Sequence, residues 1–127
     1  KVISSSYVNG VYSFIKENHT NYNFFISTGT PKNEIDIILQ RKNLNKYFIE
    51  VFGSPEKKDD HVIKILKKYN YKKNNVVFIG DSTSDRNAAL ANDIRFIGRY
   101  TTTEEIKKEK NLITDFIDFK NYLNTIL

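Results

Sequence analysis

Cysteine is absent from the 127 residues. Neither a disulfide framework nor a thiolate metal site is therefore available, which agrees with a reducing compartment. Long apolar runs are missing as well: none approaches the roughly 20 residues that a membrane-crossing helix needs, and no basic-then-apolar leader opens the chain. The expectation is a soluble, cytoplasmic protein with no membrane partner. The clustered Arg and aromatic residues of a nucleic-acid surface are also lacking, because the formal net charge of +5 rests on Lys scattered through helical stretches, as at Lys64, Lys67, Lys68, Lys72 and Lys73. Nucleic acid is not an expected partner, whereas small anionic molecules suit the charge. There is no internal repeat and no low-complexity linker. At this length one compact domain can bury a real core, although a complete doubly wound enzyme needs more. The reading is one partial domain, residues 1–127, with Lys1 as an arbitrary cut in something longer.

What is present is an alternation of strand and helix signals. After the polar residues 1–6, Val8, Val11, Phe14 and Ile15 keep helical spacing, predicting a helix from Tyr7 or Val8 to His19. Phe24 to Thr28 reads as a short strand, and Thr30 as N-cap with Pro31 at the first helical position opens a helix to about Asn43. Tyr47 to Phe52 reads as a third strand, or as a strand with its lead-in, ending at Gly53-Ser54-Pro55. Val62, Ile65, Leu66 and Tyr69 then mark the buried face of a helix, with His61, in its first turn, expected to be solvated or a helix-face residue. Val76 to Gly80 and Arg95 to Gly98 are strands around an Ala-rich helix, and helical character returns over 104–110 and 116–126. Such alternation predicts an α/β fold with a largely parallel sheet and right-handed crossovers.

Three strand ends carry chemistry. In open α/β sheets ligands gather beyond the carboxyl ends of the strands. Asp81 follows the strand 76–80 directly, and Asp85 lies four residues on, beyond a Gly that lets backbone and ligand come close. Two acids there can share a cation, or else Asp81 and Asp85 cap the next helix beside Ser82. Ser27 or Thr28, with the backbone N–H groups beyond Gly29, can hold an anionic oxygen, or the hydroxyls can serve only the turn and cap. Lys57 and Lys58 sit at a helix start, where a cation opposes the macrodipole. One of them either points to solvent or is held there for an anion.

In this order, a hydroxyl (Thr28), a lysine (Lys58) and an acid pair (Asp81, Asp85), the sequence resembles the haloacid dehalogenase superfamily. Phe24 to Thr28 is similar to that family's second motif, Lys58 to its third, and Val76 to Asp85, with Gly-Asp-x-x-x-Asp, to its fourth. Asn87-Ala88-Ala89 and residues 94–98 resemble the family's next helix and its last core strand. The resemblance implies a three-layer α/β/α Rossmann-like core and a Mg2+-dependent phosphohydrolase acting on a small phosphorylated metabolite. In it Thr28, Gly29, Lys58 and Ser82 bind phosphate, Asp81 and Asp85 hold the metal, and an aspartyl-phosphate forms on an attacking Asp. That attacking Asp belongs to a first motif, Asp-x-Asp-Gly-Thr after an apolar strand, which has no match here. The implied chain is thus the carboxyl-terminal part of such a core, without its first strand and cap, inactive alone. The strands flanking the missing one are left with unpaired edges open to self-association. The alternative is a catalytically silent binding domain of the same fold.

Overall fold

The computed structural model describes residues 11–99, 112–113 and 122–123. In chain order these form α1 (Val11–Asn18), β1 (Phe25–Pro31), α2 (Lys32–Arg41), β2 (Glu50–Ser54), α3 (Lys58–Lys68), β3 (Val77–Gly80), α4 (Thr83–Ala91), β4 (Arg95–Arg99) and the short β5 (Leu112–Ile113). Every strand pairing among them is parallel: β1 with β2, β3 with β4 and β4 with β5. Parallel neighbours require crossovers, which α2 and α4 supply.

The layers follow from side-chain alternation. Phe96 and Ile97, adjacent on β4, enter opposite cores, because successive strand residues face opposite ways. Ile97 joins Val11, Phe14 and Ile15 of α1 and Ile35 and Leu39 of α2. Phe96 joins Val62 of α3 and Ala88 and Ala89 of α4. Helices therefore cover both faces. The described part of α1 lays Val11, Phe14 and Ile15 against this core. Burial of its apolar stripe holds it, each large side chain contributing about 1.5–3 kcal/mol.

Element boundaries differ from the sequence expectation where the chain turns. β1 continues to Pro31, and Pro31 rather than Thr30 is the N-cap residue of α2, with no side-chain cap. Tyr47 lies in a 3-10 turn and β2 starts only at Glu50, because Tyr47 and Phe48 are needed against the α1 core rather than in the ladder. The helical segments expected over 104–110 and 116–126 lie outside the described residues, apart from Tyr122 and Leu123, which are helical. Three helices end alike: Asn43, Asn70 and Asp93 take φ of 56°, 55° and 54°. The next N–H of each then bonds back into the helix, Leu44 to Leu39, Tyr71 to Leu66 and Ile94 to Ala89. Asn and Asp bear the left-handed conformation better than most residues.

Among the described residues β1 and β3 do not pair, so the strands stand as two sheets, β1-β2 and β3-β4-β5. A cavity of about 360 Å³ is lined by Phe25 and Ser27 of β1, Val77 and Ile79 of β3, Ile15 of α1 and Ile65 of α3. The break falls between the two strands that the resemblance leaves unpaired. No helix among the described residues is long and apolar enough to cross a membrane.

Candidate functional site

The acidic loop is built around Asp85. Ser82 is the N-cap of α4, its Oγ accepting from Asp85 N at 3.3 Å, and Asp85 Oδ2 accepts from the backbone N–H groups of Asp81 and Ser82, each at 3.2 Å. Ser82 and Asp85 thus close a capping box, with Asp in the place of the usual Glu or Gln. A Cβ on Gly80 would lie 2.3 Å from Asp85 Oδ2. Only glycine lets β3 run under that carboxylate. The other oxygen, Oδ1, is buried without a directed hydrogen bond and faces the Lys58 ammonium at 2.8 Å. Coulombic compensation by Lys58 is what makes a fully buried Asp85 tolerable.

Lys58 is the first residue of α3. Its ammonium also donates to Ser84 Oγ at 2.7 Å and reaches Ser82 Oγ at 3.5 Å. Lys57, by contrast, is the exposed N-cap residue, which settles which of the two lysines faces the loop. A cation in the first turn of a helix is electrostatically misplaced unless an anion compensates it, and here Asp85 does.

Thr28 and its neighbour Ser27 are both buried. Thr28 Oγ1 accepts from Thr30 N at 3.2 Å and donates to Thr30 Oγ1 at 3.3 Å, so its hydroxyl closes the turn after the strand. Ser27 meets His61 instead, Oγ to Nδ1 at 2.7 Å, while His61 Nε2 lies 3.1 Å from the carbonyl of Gly53. A carbonyl only accepts, so Nε2 carries the proton and Nδ1 accepts from Ser27. The sequence expectation of a solvated His61 does not hold: the residue is fully buried, with its ring 5.5 Å from Phe52. Burial holds its pKa below the usual value. Its place on the α3 face, beside Val62 and four residues before Ile65, was the signal for burial.

These bonds join the expected residues into one chain of contacts at the carboxyl ends of the strands. Thr28 follows Ser27; Ser27 holds His61, one turn beyond Lys58; Lys58 holds Asp85; and Asp85 holds the backbone of Asp81. Gly29 is exposed, with open space where a Cβ would stand. Asp81 and Asp85 do not act alike. Magnesium takes oxygen ligands, often one or two carboxylates with water and phosphate completing the shell. Asp81, about a quarter exposed beyond β3, is the carboxylate of the two that reaches solvent. Asp85 does not fit as a direct ligand: its oxygens serve Lys58 and two backbone amides inside the protein. No group of three or more His, Cys, Asp or Glu residues suited to a metal gathers among the described residues. Sequence reasoning also missed Arg99, whose Nη2 donates to Asp81 Oδ2 at 2.8 Å.

Comparison with known proteins gives one family. The family model described as haloacid dehalogenase-like hydrolase matches residues 3–99. A haloacid dehalogenase superfamily hydrolase of subfamily IA from Geobacter sulfurreducens superposes with a TM-score of 0.78 at 17% identity, over 91% of this chain and 55% of that one. A protein assigned as a phosphatase from Clostridium difficile gives 0.81 at 21% identity, over 91% of this chain and 60% of its own. The core domain of a protein assigned as a phosphoglycolate phosphatase from Streptococcus pneumoniae gives 0.70 at 22% identity, over 91% and 86%. The chain thus spans little more than half the length of the first two. No curated protein matches it at a significant level.

Proposed function

The chain belongs to the haloacid dehalogenase-like hydrolases, and from that membership we propose that it is the phosphate-gripping, metal-holding part of a magnesium-dependent phosphohydrolase for a small phosphorylated molecule. The observation that carries this reading is the Lys58 ammonium, fixed at 2.8 Å from a fully buried Asp85 and among the hydroxyls of Ser82 and Ser84. A structural ion pair has no need of a cation at a helix N-terminus bordering the carboxyl end of a parallel strand. A site for phosphoryl oxygens does.

In this reading Lys58 neutralises the phosphoryl group, positioned by Asp85. Ser82 and the backbone at Gly29 add donors. Thr28 exchanges its 3.3 Å bond to Thr30 Oγ1 for a stronger one to an anionic oxygen. Asp81 supplies the carboxylate for magnesium, which when bound adds charge neutralisation at the transferring group. Asp85 supports the metal through the loop it shapes. The attacking carboxylate, which would carry the phosphoryl group as an aspartyl ester, has no counterpart in these residues. A strand bearing it, set between β1 and β3, would reach the carboxyl end where Lys58 and Asp81 stand.

The test is a magnesium-dependent aryl phosphate hydrolysis assay on the 127-residue chain and, where the coding sequence continues upstream of Lys1, on the extended polypeptide. The chain alone gives no turnover. The extended form turns over and loses on the order of a hundredfold or more with Lys58→Ala or Asp81→Ala, as removal of a charge-stabilising group does. Turnover indifferent to both substitutions sinks the reading.

A further inference from the structure

One partner of Asp81 is a cation that the protein itself provides. β3 and β4 run in register from Val77 opposite Arg95 to Gly80 opposite Gly98. One step further along each strand stand Asp81 and Arg99, side by side beyond the last glycine pair. The guanidinium lies 2.8 Å from Asp81 Oδ2, and the two side chains are 23% and 24% exposed. Lys58 cannot fill this role, since its ammonium is committed to Asp85 and the Ser84 hydroxyl. The loop's two carboxylates are therefore each matched by a different cation, one buried pair and one at the surface.

We propose that Arg99 is a built-in competitor for the metal at Asp81, a resident cation that sets how tightly a divalent ion binds there. The inference rests on the reading of Asp81 as the metal-bearing carboxylate. A divalent ion approaching Asp81 meets an oxygen already engaged by a guanidinium and a positive charge within its first few ångströms. Binding then requires that Arg99 swing away or share the carboxylate, either of which weakens the ion's hold. The pair is partly exposed, so the effect has the scale of a surface ion pair, not of a buried one.

The test is direct binding of Mn2+, as a paramagnetic stand-in for magnesium, to the 127-residue chain, followed by electron paramagnetic resonance with no turnover involved. Arg99→Gln is expected to tighten binding by roughly two- to fivefold, the range expected from a part-exposed ion pair. Arg99→Lys, which keeps the charge but lacks the planar fork, falls between the two. Asp81→Asn removes binding in every background. In the unsubstituted chain, the Arg99 Nε–Hε resonance shifts when diamagnetic Mg2+ is added. Binding that Asp81→Asn abolishes but that Arg99→Gln leaves unchanged or weakens overturns the proposal while Asp81 stands as the ligand. Binding that survives Asp81→Asn, or no binding by any variant at millimolar metal, overturns both.

Discussion

Gly80 shows how little freedom the acidic loop has. A methyl at this position would stand 2.3 Å from Asp85 Oδ2 and 2.5 Å from its Cβ, and Asp85 cannot step aside without giving up the Lys58 pair and the amides of Asp81 and Ser82. Gly80→Ala therefore combines overpacking with stranded polar groups, and a loss of about 3 kcal/mol is expected. Urea unfolding measures it against Ser82→Ala, which removes the cap together with the hydroxyl's contacts to Lys58 and Ser84 and costs about 1 kcal/mol. A Gly80→Ala loss no greater than that of Ser82→Ala would mean that the loop yields. Much of this loop was legible beforehand, since the strand, the Gly-Asp step and the capping residues are contiguous. The division of labour between the two acids was not. Both are carboxylates four residues apart, and only the inward turn of one toward Lys58 distinguishes them.

At the scale of elements, α3 is held to both strands of the first sheet by His61, whose two ring nitrogens reach Ser27 on β1 and Gly53 on β2. Phe52 closes over the ring. Because burial lowers its pKa from 6.5, the folded chain binds fewer protons than the unfolded chain as pH falls through that value. The stabilisation from the neutral ring is complete above 6.5 and is lost as pH falls toward the lower folded pKa. Nitrogen NMR of the ring at pH 6.5 is expected to find it mainly neutral, with the proton on Nε2; a mainly charged ring would refute the assignment. Other features at this scale escape the sequence because apolar runs do not say how they are used. Tyr47 and Phe48 carry strand-forming side chains, yet they pack with Phe24 and the α1 core while the ladder begins later. The left-handed Asn and Asp residues ending three helices carry too weak a local signal to be read in advance.

At the scale of the molecule, the decisive feature is the division of the described strands into two parallel sheets across an apolar cavity. In a parallel strand alternate N–H groups face opposite neighbours, so an edge strand leaves half of its amides unpaired on one side. Hydrogen exchange of the monomeric chain is expected to show alternating protection along β1 and β3, with the amides that face the break exchanging fast. Full protection of both strands in a monomer, without direct pairing between them, would contradict this arrangement. The motif order implied unpaired edges on these two strands; that they do not close on each other is seen only in the structure, among the described residues.

The sequence by itself determined the alternation of elements, the acidic turn after β3, the lysine opening α3 and the membership of a hydrolase family. Each depends on neighbours within a turn or a strand, where spacing and residue type are enough. Tertiary structure alone decided the partners: Ser27 with His61 across 34 residues, Lys58 with the Ser82 and Asp85 loop across 24 and more, and Asp81 with Arg99 across 18. Such pairs are set by parallel register and by which helix covers which face. A one-residue change in either would turn the same side chains away from one another.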